Sequence, residues 1–419
     1  MSFQQGLSGL NAASKSLEVI GNNVANASTV GFKGSQAQFA DVYAVSLASG
    51  GSSQVGIGTK VAKVSQQFNQ GNISASNNPL DIAINGSGFF RMDSNGSISY
   101  ARNGQFELDK NGYIVNGSGA TLTGYTANAA GVLSTGAPTK LQINTADLPP
   151  AITAKVQEVV NLDSGQAVPV TTPFNPADPT SYNNATSISV YDSLGNSHVM
   201  QSFFVKTNSA TAGVSTWDVY GVADDVVLNT GPAGKTGLIG TLEFGQDGAL
   251  TAAGKAALPF NVTIPATAGG AADIQPTMDY TGSTQYGSPF LVNALSQDGY
   301  TAGRLTAFNT GADGVITGRY SNGKSGTLGQ VVLANFANVN GLQPLGNNVW
   351  AESPTSGAPL VSSPGSGTFG ALQSSAVEDS NVDLTAELVN MITAQRVYQA
   401  NAQTVKTQDQ VLQTLVNLR

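Results

Sequence analysis

The last forty residues contain neither Gly nor Pro, although the 419-residue chain holds 49 Gly and 17 Pro. Ser380 and Asp383 form an S-x-x-D pattern, which often precedes a helix. One apolar or aromatic set then recurs every seven residues: Leu384, Met391, Tyr398, Val405 and Leu412. This repeat without helix breakers indicates a long helix that packs on other helices. The sequence therefore predicts a helix from about Ser380 to Leu418, roughly 57 Å long.

A second helix is predicted at the other end of the chain, from about Ser2 to Ala27. Ser2 and Gln5 match a capping box. Apolar residues follow at a four-three spacing, with two slots filled by other residues: Phe3, Leu7, Leu10, Leu17 and Val24. Two helices packed on each other form only a small core. We therefore expect the apolar residues of both stripes, together with Leu388 and Leu415, to contact other subunits. The alternative is that both helices pack on the chain's own β-rich body.

The segment between the helices is predicted to be β. Phe106 and Leu108 alternate before the turn at Asp109-Lys110-Asn111-Gly112, and Tyr113 and Val115 alternate after it. This pattern predicts a hairpin. A second hairpin is predicted around 192–196. Further turns are predicted at Asp247-Gly248, Asp298-Gly299, Asp313-Gly314 and Asn322-Gly323. No βαβ alternation is present, so we predict antiparallel β domains.

Shifts in composition predict a multidomain, mainly β chain with long N- and C-terminal α-helices that form a coiled-coil-like domain. We predict four parts: a helical domain from 1–28 with 372–419, a connector from 29–75 with 362–371, a middle β domain from 76–145 with 285–361, and an inserted β domain from 146–284.

Composition argues against several classes of function. The chain has no Cys, which excludes disulfides and Cys-bound metals. Its 18 Lys and Arg residues are scattered and the net charge is −8, so nucleic-acid binding is not expected. No cleavable signal or stretch of eighteen apolar residues is present, so membrane insertion is not expected either. We predict no cofactor and no metal.

Motifs that could carry chemistry are incomplete. Gly56-Ile57-Gly58-Thr59-Lys60 lacks the order of a phosphate-binding loop. The Asp93 and Asp109 turns lack the Glu that closes a calcium loop. His198, the only His, has no triad pattern nearby, so we predict a structural role. The neighbouring acids at 224–225 and 378–379 are expected to be solvated. The chain is therefore not predicted to be an enzyme.

The stretch 21–34 is predicted to be an elbow between the first helix and the β body. Asn22, Asn23 and Asn26 have low helix propensity, and the β-branched Thr29 lowers it further. Gly31 suits a left-handed turn after a helix. Phe32 and Lys33 complete the elbow, whose side chains we expect to touch neighbouring subunits.

Several sequence blocks resemble the flagellar rod and hook axial proteins. The matching blocks are 8–12, 20–26, 29–33, 79–90, 100–106, 380–384 and 391–401. The rod proteins are much shorter and lack a large central insertion, whereas residues 146–284 are extra here. Blocks 190–196 and 203–206 of this insertion look like the outer domain of hook proteins. The resemblance therefore points to the hook branch of the family.

The resemblance implies an extracellular, self-assembling tube of the bacterial flagellum, with the terminal helices as its inner-tube domain. It also implies partners: copies of the chain, the flagellar rod, the hook cap, the hook-filament junction proteins and the flagellar type III export apparatus. A distal-rod or other axial subunit is one alternative. A secreted β-rich adhesin or glycan-binding enzyme is another, poorly supported by only two Trp.

Overall fold

The computed structural model describes residues 2–42, 56–128, 131–228, 235–265 and 270–417. The chain forms two compact units. Unit 1 comprises Met1–Thr145, Ala307–Arg319 and Ser325–Arg419, and unit 2 comprises Ala146–Thr306 and Tyr320–Lys324. The prediction of a multidomain, mainly β chain with terminal helices is confirmed. In the described part of the chain, no helix has the length and apolar character needed to cross a membrane.

The helices are α1 (Ser2–Ala25), α2 (Ala252–Ala256) and α3 (Leu384–Asn417). Helix α3 starts at Leu384, so the predicted start at Ser380 is wrong. The reason is that Asp383 acts as the cap: its carboxylate accepts hydrogen bonds from the Thr385 and Ala386 amides. Residues 376–378 before it form a strand. The predicted helix end, Leu418, lies outside the described residues.

Among the described residues, ten strands precede unit 2. They are β1 (Ser35–Val42), β2 (Gly58–Gln66), β3 (Ile73–Ala75), β4 (Ile82–Asn85), β5 (Phe89–Ser94), β6 (Ser97–Ala101), β7 (Phe106–Leu108), β8 (Ile114–Asn116), β9 (Thr121–Thr126) and β10 (Thr139–Lys140). The predicted hairpin is confirmed as β7–β8, and Asp109 stabilises its turn by accepting from the Asn111 and Tyr113 amides. Strands β1 and β2 form an unpredicted antiparallel pair within the connector, because their mostly polar residues hide the alternation.

The described part of unit 2 contains ten further strands. They are β11 (Lys155–Asp163), β12 (Asn184–Tyr191), β13 (Ser197–Thr207), β14 (Ser215–Ala223), β15 (Val226–Val227), β16 (Leu238–Phe244), β17 (Phe260–Asn261), β18 (Thr277–Asp279), β19 (Thr284–Tyr286) and β20 (Leu291–Gln297). They form two five-stranded sheets, one centred on β11 and one with the order β12-β13-β14-β15 and β16 beside β14. The predicted hairpin at 192–196 is confirmed as β12–β13.

Strand β11 departs from the antiparallel prediction, because it pairs in parallel with β18 and β19. More than a hundred residues separate these partners, so no local alternation could signal the pairing. Strand β20 pairs with β11 as well, and this extends unit 2 beyond the predicted end at 284. Both sheets contribute to one apolar core, which includes Val160, Phe204 and Trp217.

Nine strands complete unit 1. They are β21 (Leu305–Thr310), β22 (Val315–Tyr320), β23 (Ser325–Val331), β24 (Leu333–Asn335), β25 (Gln343–Gly346), β26 (Val349–Ala351), β27 (Leu360–Ser362), β28 (Ala371–Ser374) and β29 (Ala376–Glu378). The large sheet of unit 1 includes the order β22-β23-β9-β5-β6-β26-β25. Strands β28 and β29 pair with β4 and β3, so the chain just before α3 is joined to the residues that follow the elbow.

Candidate functional site

Helices α1 and α3 of unit 1 pack together through small side chains. A Cβ atom added to Gly9 would lie 2.6 Å from the Asn401 Oδ1 atom, and one added to Gly6 would lie 3.0 Å from the Val405 Cγ2 atom. Ala13, seven residues after Gly6, and Ala394, seven residues before Asn401, are also buried. We call Gly6, Gly9, Ala13, Ala394, Asn401 and Val405 the helix seam. A larger residue at Gly9 would force the Asn401 side chain to move.

The predicted interface residues lie mostly outside this seam. Six of them are exposed: Phe3 (44%), Leu7 (45%), Leu384 (47%), Leu388 (44%), Tyr398 (37%) and Leu412 (49%). Five are partly buried: Leu10, Leu17, Val24, Met391 and Val405. The Leu415 side chain lies outside the described residues. Helix α3 exposes four more large apolar residues, namely Val389, Ile392, Val397 and Val411. The two helices therefore expose ten large apolar side chains to solvent, eight of them on α3.

A groove of about 840 Å³ lies between α1, β1 and the first half of α3. Apolar residues from all three elements line it, including Ile20, Phe39 and Val397. Amide side chains such as Asn390 lie among them. Because the groove combines apolar walls with hydrogen-bonding groups, it is suited to hold a polypeptide segment.

The elbow leaves α1 through consecutive turns. The Asn26 amide donates to the Asn22 carbonyl oxygen over 3.1 Å, and the Asn26 side chain donates to the same oxygen over 2.9 Å. The Thr29 amide then donates to the Asn26 carbonyl oxygen over 3.0 Å. These bonds satisfy groups that a helix end would otherwise leave without partners. The predicted end of the first helix at this stretch is confirmed, with the last helical residue at Ala25.

Asn23 joins the elbow to β1. Its side chain donates to the Ser35 carbonyl oxygen and accepts from the Ser35 amide, both over 2.8 Å, and it is 2% exposed. Phe32 and Lys33 are buried in unit 1 as well. The expectation that elbow side chains contact other subunits is therefore wrong for these three residues, because their own chain already surrounds them. Asn22 and Thr29 are exposed, and for them it stays a prediction.

Gly31 has the predicted left-handed conformation, with φ of 70°. Its amide donates to the Glu378 carbonyl oxygen over 2.7 Å. A Cβ atom at this position would lie 2.5 Å from the Asn103 backbone nitrogen. Gly31 is therefore required both by its backbone angle and by the close approach of the 102–103 turn.

Lys33 lies at the centre of a fully buried ionic cluster. Its ammonium group donates to Glu378 Oε1 over 2.7 Å and to the Asn69 carbonyl oxygen over 2.8 Å. Arg102 donates to Glu378 Oε2 over 3.2 Å and to the Gly86 carbonyl oxygen over 2.8 Å. The Lys33 and Glu378 side chains have no solvent-exposed area, and that of Arg102 has 4%. We call Lys33, Arg102 and Glu378 the buried triad.

Burial lowers the pKa of Lys33 and of Arg102, while the Glu378 carboxylate opposes this shift in both. One carboxylate therefore balances two buried cations. The expectation that Glu378 is solvated is wrong, because Lys33, Arg102 and the Gly71 amide surround its two oxygens. Sequence reasoning missed Glu378 and Arg102 as partners of the elbow. Their sequence separation from Lys33 leaves no local signal.

His198, in unit 2, connects two turns. Its Nδ1 atom lies 2.5 Å from Asp224 Oδ2, and its Nε2 atom lies 3.5 Å from Asp192 Oδ2. Although burial alone would lower the pKa of His198, the hydrogen bonds to the two aspartates raise it above the usual value. Asp224 is therefore paired with His198 and not merely solvated. These contacts agree with a structural role for His198.

No group of three or more His, Cys, Asp or Glu side chains that could bind a metal ion occurs among the described residues. What distinguishes unit 1 is a small-residue helix seam, an exposed apolar surface on both helices and an elbow fixed by buried polar contacts.

Four stretches match families of flagellar proteins. Residues 3–33 match the flagella basal body rod protein family, and 373–418 match the C-terminal family of the basal body rod FlgEFG proteins. Residues 83–190 match the D1 domain of the flagellar hook proteins FlgE/F/G, and 161–300 match the flagellar basal body protein FlaE D2 domain. The chain thus has the parts of a flagellar axial protein.

Relatives that match over the whole chain show which kind of flagellar axial protein it is. The flagellar hook protein FlgE of Salmonella typhimurium is 45% identical, and that of Escherichia coli K12 is 44% identical, with all of this chain and all of each relative covered. The relative from Borreliella burgdorferi is 31% identical over all of this chain and 99% of its own length. The chain therefore belongs to the flagellar hook protein family and is a structural subunit of the hook.

One solved structure has a similar fold. The crystal structure of the Helicobacter pylori flagellar hook protein FlgE2 superposes with a TM-score of 0.52 at 15% identity. It covers 73% of this chain and 100% of the other. At this identity the likeness concerns the fold alone.

Proposed function

We propose that the chain polymerises with copies of itself into an extracellular tube that transmits motor torque from rod to filament while bending as a universal joint. The observation that carries this proposal is the exposed apolar surface of α1 and α3. Burying one Leu-sized side chain contributes about 1.5–3 kcal/mol. Ten exposed apolar positions on the two helices can therefore supply a large part of the association energy.

The helix pair, α1 (Ser2–Ala25) with α3 (Leu384–Asn417), forms the coiled-coil-like inner-tube domain in this proposal. The groove beside α1 and β1 accepts apolar residues of α3 from a neighbouring subunit. Unit 2, residues 146–306 with 320–324, forms the outer domain. Residues 76–145 with 307–319 and 325–361 form the middle domain, and 29–75 with 362–371 the connector. The β domains have polar, weakly charged surfaces. Such surfaces form interfaces of modest strength, which suits contacts that slide as the tube bends.

The further partners in this proposal are the flagellar rod, the hook cap, the hook-filament junction proteins and the flagellar type III export apparatus. Support comes from the family matches at both ends of the chain, which are shared with rod proteins. Electron microscopy of the polymer tests the bending role, since a flexible joint forms curved tubes and a rigid one forms straight tubes.

The test introduces a charge into the exposed surface. Leu388→Glu should abolish polymerisation, because assembly would bury an unpaired carboxylate. The matched control is Gln399→Glu, which adds the same charge at an exposed polar position of α3. Far-UV circular dichroism should show the same fold for both subunits. Sedimentation and electron microscopy then measure how much of each variant assembles into tubes. If Leu388→Glu assembles as well as Gln399→Glu, the exposed apolar surface does not drive assembly.

A further inference from the structure

The buried triad joins segments that are far apart in the sequence. Lys33 belongs to the elbow, Arg102 to the turn after β6, and Glu378 to the end of β29. The loop that leads to β3 contributes the Asn69 carbonyl oxygen and the Gly71 amide. Among the three side chains of the triad, only Glu378 is negatively charged. The elbow therefore buries its lysine against a carboxylate that lies 345 residues further along the chain.

Many hydrogen bonds of the elbow are nonetheless local. The Ser35 amide donates to Asn23 Oδ1, and the Gln67 amide donates to the Gly34 carbonyl oxygen, both over 2.8 Å. All four residues lie within the first 75 of the chain. Nothing in these bonds requires the C-terminal segment. Yet closing the elbow around Lys33 without Glu378 would bury a cation that has only a carbonyl oxygen as partner, which is strongly unfavourable.

Several hydrogen bonds join the C-terminal segment to the elbow and to the loop before β3. The Asn381 side chain accepts from the Gly34 amide and donates to the Gln67 carbonyl oxygen. The Asp379 amide donates to the Asn72 carbonyl oxygen. Arrival of residues 376–381 thus supplies the carboxylate and covers the elbow in one step.

We propose that the buried triad is a folding latch, which holds the N-terminal elbow open until the C-terminal segment docks and brings Glu378 to Lys33 and Arg102. Segments 31–35 and 67–72 stay unlocked while Glu378 is absent. Docking of 376–381 then fixes both terminal helices to the β body of unit 1 at one point. The device makes order in segments 31–35 and 67–72 conditional on residues 376–381.

The first test is hydrogen exchange on the full-length native protein. Glu378→Gln should lower the protection of the Ser35, Gln67 and Gly71 amides by at least about 100-fold, because it leaves two buried cations without a counter-charge. Strands β5, β6 and β9 should keep their protection. The control is Asp379→Asn, which removes a neighbouring carboxylate that contacts Ser74. Unchanged protection in Glu378→Gln would overturn the proposal.

The second test separates charge from general disruption. In a variant carrying Lys33→Met, Arg102→Met and Glu378→Gln, the elbow should be better protected than in Glu378→Gln alone, since no buried cation is left without a counter-charge and the new side chain at 378 can still accept from the Gly71 amide. If the triple variant is as unprotected as Glu378→Gln, charge is not the cause and the latch is refuted. This comparison remains decisive even if Glu378→Gln unfolds unit 1 completely.

The order of events is read from refolding by pulsed hydrogen exchange. In the wild type, the Ser35 and Gln67 amides should gain protection in the same phase as the Asp379 amide, although their own partners are N-terminal. In the triple variant they should gain it earlier than Asp379. Early protection of Ser35 and Gln67 in the wild type would contradict the latch.

Discussion

Glu158 is the most unusual titratable residue of unit 2. It lies on β11 and is completely buried, with Oε2 accepting a hydrogen bond from Ser202 over 2.9 Å. Its Oε1 atom has no partner among the described residues. Burial raises the pKa of Glu158 to about 7, and the Ser202 hydrogen bond offsets only part of the shift. The folded unit therefore favours the neutral acid.

This raised pKa predicts that unit 2 is more stable in mild acid than at neutral pH. The stabilisation should be complete below the unfolded-state pKa of about 4.5 and should be lost as the pH rises through about 7. The loss amounts to about 3 kcal/mol. Denaturant unfolding followed by Trp217 fluorescence measures it in a Trp350→Phe background, where Trp217 is the only Trp left.

Glu158→Gln in the same background should remove most of this pH dependence, because the amide keeps the shape and cannot ionise. Glu243 is the other Glu of unit 2, and Glu243→Gln is the control. This variant should keep the wild-type dependence of unit 2 stability on pH. A wild-type unit 2 with equal stability at pH 4.5 and pH 7 would show that Glu158 does not carry the effect.

At the scale of elements, the helix seam explains why many large apolar residues of α3 lie outside its contact with α1. Gly9 and Asn401 bring the two helices so close that bulky residues are accommodated only beside the seam. The seven-residue repeat in α3 therefore predicts a long helix with an apolar stripe, but not which stripe contacts α1. Apart from Val405, the seam residues are small or polar and have little weight in an apolar pattern, so most of the seam is not visible in the sequence.

Gly9→Leu should separate the helices, because a Cβ at that site already collides with Asn401. Overpacking of this kind costs about 1–3 kcal/mol. Gly21→Leu is the matched control in the same helix, where an added Cβ meets nothing within 4 Å. We expect lower helicity and a lower melting temperature for Gly9→Leu, measured by circular dichroism at 222 nm. Equal melting of both variants would argue against the seam.

Local features could be predicted from the sequence, whereas remote pairings could not. The β7–β8 and β12–β13 hairpins follow from turn residues beside alternating apolar residues, all within a short window. The parallel pairing of β11 with β18 and β19 joins residues more than a hundred positions apart. The same holds for the buried triad, where an acid that looks solvated in the sequence becomes the centre of the elbow. The interaction energy there depends on burial, which a local pattern does not report.

At the scale of the whole molecule, unit 2 is an insertion whose ends meet. Leu148 and Gly303 exchange two backbone hydrogen bonds, of 2.7 and 3.1 Å, at the start and near the end of the unit. A similar pair of bonds joins Ala151 to Tyr300, both over 3.0 Å. Insertions with adjacent ends can be removed with little strain on the rest of the fold.

Replacing residues 149–302 by a short Gly-Ser turn should leave unit 1 folded, because the Leu148–Gly303 pair needs only a hairpin connection. In the proposed tube, the shortened chain should still polymerise, since α1 and α3 are unchanged, but with altered curvature. Trp350 fluorescence reports the folding of unit 1, as Trp217 is deleted. Electron microscopy of the polymers measures curvature, with the same deletion carrying Leu388→Glu as the non-assembling control. Complete loss of polymerisation in the shortened chain, with unit 1 still folded, would mean that unit 2 supplies essential subunit contacts.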